Sequence, residues 1–159
     1  MAIIGNGTIA KVLTDREDRL YFASGVANSQ ETRESEYQRE KDLLLAQDKH
    51  QHVVYFSSLS VFYKESRYTQ HKREMERLIK QHFPKYTIVR LGNPVWGYNP
   101  NHLIPFFKTQ KDYPIFDVYR YPLELEEFLH WIEFIPSWNC EMSITGRLMK
   151  AKDIVKEYA

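Results

Sequence analysis

The sequence holds one cysteine, Cys140, in 159 residues, which excludes an internal disulfide and any multi-cysteine metal site. Cys140 lies in an apolar-rich stretch and reads as a core or near-core residue. Charge of either sign is nearly absent in the balance. The 22 Lys and Arg face 21 Asp and Glu, for a formal net charge of +1, so there is no basic field to hold nucleic acid and no acidic tail. No apolar run approaches the roughly 18 residues of a bilayer-spanning helix. No basic leader opens the N-terminus, and the expectation is a soluble protein of cytoplasmic type. The six histidines lack ligand spacing: His50 and His52 are two apart, while His71, His82, His102 and His130 are scattered. No metal is expected from them. Aromatics make up 14% but do not interleave with Lys/Arg clusters, and Trp96, Trp131 and Trp138 read as packing residues. There is no internal repeat and no low-complexity linker, so the chain is one domain with its own core.

What is present is an alternation of strands and helices. Met1 to Ile4 reads as a short buried strand, broken by Gly5-Asn-Gly7. A short helix is expected from Thr8, carrying Ile9, Ala10, Val12 and Leu13. Leu20 to Ala23 is a second apolar run, closed by Ser24-Gly25. Ser35-x-x-Gln38 resembles a capping box opening a helix to about Asp48. Val53–Phe56 is a third strand. A helix from Ser66 ends before Pro84, and Tyr86–Arg90 is a fourth strand, followed by Gly92-Asn-Pro-Val-Trp-Gly97. Beyond Asn99 the pattern predicts helices near Leu123–Ile135 and Leu148–Tyr158 around a strand at Glu141–Ile144. The acidic run Glu124-Leu-Glu-Glu127 suits a helix start. Such alternation argues for a parallel α/β sheet covered on both faces. Ligands of such sheets bind outside the carboxyl ends of the strands, at the switch in strand order.

Two motifs carry chemistry. Gly5-Asn-Gly7-Thr-Ile-Ala10 fits G-x-G-x-x-A between a strand and a helix. The first glycine permits the turn, the second lets backbone approach a pyrophosphate, and the small third residue allows close packing. An acidic residue about 20 positions on normally binds the adenosine ribose. Here nine residues separate Ala10 from Leu20, which leaves nothing for two further strands, and Asp15, Glu17 and Asp18 read as a solvated helix end. Tyr68 and Lys72 stand four apart, so phenol and ammonium share one helix face. A phenol with an ordinary pKa of about 10 needs such a cation, or a cofactor's charge, to act as a base near neutrality. Tyr-x-x-x-Lys occurs about once by chance in such a chain, and Tyr37/Lys41 is a second match. Both pairs fall on inward stripes, but only Tyr68/Lys72 follows a buried strand ending in hydroxyls, Ser57-Ser58.

In this order the motifs resemble the extended short-chain dehydrogenase/reductases, specifically the NAD-dependent epimerase/dehydratases of nucleotide sugars. The resemblance covers Met1 to about Pro105. Tyr21-Phe-Ala-Ser-Gly-Val-Ala-Asn28 is similar to the strand and loop under the cofactor, and Phe56-Ser-Ser-Leu-Ser-Val-Phe62 to the family's Ser-Ser-x-x-Val-Tyr segment. Arg90-Leu-Gly-Asn-Pro-Val95 is similar to the loop closing on the nicotinamide, and Pro100-Asn-His-Leu-Ile-Pro105 to Asn-Asn-Leu-Met-Pro, with His102 replacing an Asn. The resemblance implies a three-layer Rossmann-like sheet, truncated by loss of the usual second and third strands. Residues 1–98 would be the cofactor-binding and catalytic part, and 99–159 an abbreviated substrate-binding part.

The resemblance implies Ser58, Tyr68 and Lys72 as the catalytic set. It places NAD or NADP, weakly bound, against Gly5, Asn6, Gly7, Thr8, Ile9, Ala23, Ser24, Gly25, Ser57, Tyr68, Lys72, Leu91, Asn93 and Pro94. A nucleotide-sugar substrate would meet Ser58, Asn93, Asn101 and His102. In the family chemistry Tyr68 takes a hydroxyl proton while hydride leaves for the nicotinamide, and Lys72 lowers the phenol's pKa. Ser58 holds the reacting oxygen. Epimerase, dehydratase and reductase all remain open, as does a role in surface polysaccharide synthesis. No arginine is placed in the sequence to favour the extra phosphate of NADP. The family also implies a homodimer through helices 35–48 and 66–83. The shortened adenosine half leaves a second reading, a non-catalytic Rossmann-fold binding or assembly module.

Overall fold

Val53–Ser58 and Tyr86–Leu91 are apolar at four of six positions each, and consecutive residues in both are buried, so both faces are covered. That burial is characteristic of central parallel strands. The computed structural model describes residues 3–97, 103–109 and 118–159. Its strands are β1 (Ile3–Ile4), β2 (Leu20–Phe22), β3 (Val53–Ser58), β4 (Tyr86–Leu91), β5 (Asn93–Pro94), β6 (Tyr119–Arg120), β7 (Pro122–Leu123), β8 (Cys140–Ile144) and β9 (Met149–Lys150). The helices are α1 (Glu34–Leu45), α2 (Arg67–His82), α3 (Leu103–Thr109), α4 (Leu125–Ile132) and α5 (Ala151–Tyr158). Five strands form one parallel sheet in the order β1-β2-β3-β4-β8. The expected α/β three-layer sheet is therefore present.

Its two faces are covered by different parts of the chain. Leu44 of α1 and Met75, Ile79 and Phe83 at α2 pack on Leu20, Phe22, Val53, Tyr55 and Ile88. On the other face Phe128 and Ile132 of α4, with Ile135, pack on Tyr21, Val54, Phe56, Val89, Leu91 and Ile144, and Ile9, Val12 and Leu13 join them. Two small pairs, β5 with β7 and β6 with β9, flank the main sheet. No helix among the described residues is long and apolar enough to cross a membrane.

Several expectations are corrected. Strand order follows chain order, so the described residues contain no switch point; β1 is itself an edge because nothing in residues 5–19 returns to pair with it. The helix expected from Thr8 is a single 3₁₀ turn, Ala10–Val12, after which Leu13 is extended. Residues 5–19 must carry the chain back to the start of β2. A helix advances only about 1.5 Å per residue against about 3.3 Å for extended chain. The capping box at Ser35 does not form: Arg33 is the N-cap with no side-chain capping bond, and Gln38 donates along the helix to Asp42 at 2.8 Å. The capping box belongs instead to α2, where Ser66 and Thr69 cap each other. Leu123 is taken by β7, and Met149 and Lys150 by β9, so α4 and α5 are shorter than expected. Trp96 packs at 5.6 Å from Phe128; Trp131 is exposed but packs against His130 at 5.0 Å and Phe134 at 6.0 Å, whereas Trp138 is exposed. Cys140 is partly buried, and burial pushes its thiol up.

Candidate active site

The loops leaving β1 to β4 open on one side of the sheet, around a cavity of about 900 Å³, within the usual range for small-molecule sites of about 300–1,000 Å³. Asn6, Gly7, Thr8 and Ile9 line it after β1; Ala23, Ser24 and Gly25 after β2; Ser57 and Ser58 at the end of β3; Leu91, Asn93 and Pro94 at β4 and β5. Tyr68 and Lys72 reach it from α2. All the proposed cofactor-binding residues except Gly5 thus border one space. Gly5 turns the chain beneath it with φ of 125°, where a Cβ would stand 2.4 Å from the Ala23 carbonyl oxygen. Only glycine fits both restraints. At Gly7 a Cβ would meet nothing within 4 Å, so the backbone there is open to a ligand. Asn101 and His102 lie outside the described residues.

Each hydroxyl has a distinct setting. Ser57 is buried and donates to Glu76 at 2.6 Å, and Glu76 is held by Arg90. Ser58 is partly buried and shares a hydrogen bond of 2.7 Å with Ser60. Tyr68 is partly buried. Burial pushes its phenol up, Lys72 pulls it down, Glu40 pushes it up, and the Ser58 hydroxyl pulls it down, for a net rise. The sequence reading had Lys72 lowering this pKa; Lys72 does act in that direction, but burial and Glu40 outweigh it.

Glu40 is the residue sequence reasoning missed. It lies on the inward stripe of α1 between Tyr37 and Leu44, fully buried. Its carboxylate accepts from Val26 N–H at 2.7 Å, from His71 Nε2 at 3.0 Å, from Lys72 Nζ at 3.3 Å and from the Tyr55 hydroxyl at 2.5 Å. Lys72 also donates to Tyr55 at 3.2 Å, and its Nζ stands 5.5 Å from the Tyr68 ring centroid. A Cβ at Gly25 would lie 2.6 Å from this Nζ. The signal for Glu40 was its spacing, three residues after an inward Tyr and four before an inward Leu. The second Tyr/Lys pair is built differently: Tyr37 donates to the Glu31 carbonyl at 2.6 Å, and Lys41 pairs with Glu74 at 2.8 Å. Neither residue of that pair lines the cavity. Arg120 of β6 and Arg39 of α1 also border the cavity and were not foreseen. Arg39 bonds the Ser24 carbonyl at 3.0 Å and Glu36 at 3.0 Å.

No protein-family model and no curated protein matches this sequence. Solved structures match it in shape. A UDP-galactose 4-epimerase superposes with a TM-score of 0.59 at 15% identity, over 87% of this chain and 60% of that one. A dTDP-glucose 4,6-dehydratase from Bacillus anthracis, solved in complex with NAD, gives 0.63 at 14%, over 89% and 56%. The Bordetella bronchiseptica enzyme WbmG, in complex with NAD and UDP, gives 0.61 at 14%, also over 89% and 56%. The chain has the Rossmann-type fold of these epimerases and dehydratases. It spans a little over half the length of each. Among the described residues the stretch after the glycine turn goes straight to β2, and no strand lies beyond β1. Glu36 of α1 reaches the cavity wall, already paired with Arg39.

Proposed function

We propose that the protein is an NAD(P)-dependent oxidoreductase of the epimerase, dehydratase or reductase kind, acting on a nucleotide sugar. The observation that carries this reading is the convergence of Ser58, Tyr68 and Lys72 on the same cavity as the glycine turn. A nicotinamide dinucleotide, when bound, would supply hydride acceptance at the substrate carbon. The open backbone from Asn6 to Ile9 suits its pyrophosphate, and the Leu91–Pro94 segment its nicotinamide end. Lys72 spends two donors on Glu40 and Tyr55 and keeps a third for the nicotinamide ribose. Tyr68 takes the hydroxyl proton once positive charge beside it favours the phenolate, and Ser58 holds the reacting oxygen. Arg120 gives the substrate's diphosphate a cation. Residues 99–159 supply the abbreviated substrate side, Asn101 and His102 included, and a remodelled sugar nucleotide suits surface polysaccharide synthesis.

A non-catalytic binding module is the second reading. The observation that favours it is the clamp of Glu40 on Lys72 together with the missing adenosine strand. Calorimetric titration with NAD, NADH and their phosphorylated forms separates the two. Dinucleotide binding that Lys72→Ala weakens supports the enzyme. No binding of any form at millimolar concentration leaves the module.

A further inference from the structure

Resting on the reading of Tyr68 and Lys72 as the proton-transfer pair, we propose that Glu40 is a positioning residue of that pair. It clamps the Lys72 ammonium and cancels part of its field, so that Tyr68 stays a neutral phenol until a ligand brings positive charge into the cavity.

The geometry is that of a closed electroneutral unit. Glu40 comes from α1, Lys72 and His71 from α2, Tyr55 from β3, and Val26 from the loop after β2. Their donors occupy both carboxylate oxygens. A buried carboxylate without a counter-ion is costly, so Lys72 is its charge partner. His71 donates to the carboxylate through Nε2, while its buried Nδ1 has no partner. Burial works against the Glu40 carboxylate, but Lys72, His71 and Tyr55 outweigh it and hold the carboxyl far below the usual range.

Tyr68 faces this unit from one side. Lys72 approaches from its own helix, Glu40 and Tyr37 from α1, Tyr55 and Ser58 from β3, and Tyr63 from the turn that follows. Lys72 and Glu40 are the two full charges in that set. A lone ammonium would pull the phenol toward ionisation; an ammonium with a carboxylate at 3.3 Å acts as a dipole, whose field decays faster with distance. The Val26 bond also ties the loop under the cavity to the same carboxylate, so the clamp fixes where the ammonium points.

The test needs no cofactor, so its failure is distinct from failure of the enzyme reading. Tyrosine labelled with ¹³C at Cζ is titrated by NMR in the apo protein, with Tyr68→Phe assigning the signal. In Glu40→Gln the Tyr68 midpoint is expected to move to lower pH, and Glu40→Asp to return it toward wild type. A midpoint that stays or rises in Glu40→Gln overturns the proposal. Should that variant not fold, ¹³C-carboxyl glutamate is titrated in the wild type, with Glu40→Asp for assignment. A Glu40 signal that stays ionised below the ordinary carboxylate range supports the clamp, and one that titrates within it overturns the clamp.

Discussion

Replacing Lys72 by Met keeps the side-chain stem and removes the ammonium, which for a purely catalytic lysine would leave stability unchanged. Here it should not. Lys72 is 2% exposed and Glu40 is 0% exposed, and without the ammonium the carboxylate keeps only its hydrogen bonds from Val26, Tyr55 and His71. Breaking one side of such a buried pair costs about 3–5 kcal/mol. At this chain length each kcal/mol lowers Tm by about 2–4 °C, so the expected loss is roughly 6–20 °C. The assay is urea unfolding at neutral pH of wild type, Lys72→Met, Glu40→Gln and the double variant. In the double variant no carboxylate is left unpaired, so it should be more stable than Lys72→Met alone, with a coupling energy above about 1 kcal/mol. Lys72→Met within about 0.5 kcal/mol of wild type, the range of an inconsequential surface change, would refute the reasoning.

Acid should expose the same carboxylate: because the folded-state pKa of Glu40 is depressed, its stabilisation is present above the ordinary carboxylate range and is lost as pH falls. Melting curves from pH 7 to 3 should therefore flatten in Glu40→Gln; an unchanged slope counts against it. Tyr68→Phe should abolish turnover of UDP- or dTDP-sugars while leaving fold and dinucleotide affinity nearly unchanged, since one oxygen is lost; residual activity at wild-type level dismisses the mechanism. Dinucleotides should bind about 10- to 100-fold more weakly than in full-length enzymes, the loss of one charge-assisted bond of about 1.5–3 kcal/mol. NAD and NADP should differ little, because Arg39 is already paired with Glu36; calorimetry showing tight binding of one alone refutes this. The α1/α2 face is the expected homodimer surface, although Glu34–Arg67 and Lys41–Glu74 ion pairs already join the two helices across it; sedimentation showing a strict monomer at micromolar concentration removes the dimer.

The strands of the sheet were legible because Val53–Phe56 and Tyr86–Arg90 must be buried on both faces, and such runs have few other uses. The cavity-lining set was legible because strand ends bring it together: Gly7 and Asn93 follow, and Ser58 ends, a strand of one parallel sheet. What was not legible depended on tertiary placement. The spacing of Glu40 puts it on the inward stripe of α1, but its partners Lys72 and His71 come from α2 and are set only by tertiary packing. Arg120 stands 48 residues from Lys72 in sequence and meets the cavity only through β6. Helix termini failed where a competing partner was closer, as when Gln38 found Asp42 rather than the backbone, and Leu123 found β5.

Placing β1 at the margin of the sheet has a consequence for behaviour in a crowded solution. A bare strand edge is a template onto which another chain can add, and proteins blunt such edges by shortening or charging them. The first device is visible here. Among the described residues the β1 margin is two residues long, too short to register an incoming strand. At the opposite margin Glu141 of β8 is drawn back over the sheet by Arg90 of β4 at 2.6 Å and Lys80 of α2 at 3.0 Å, so its charge is neutralised within the fold. Among the described residues it is the shortness of β1 that guards the sheet against edge-to-edge aggregation.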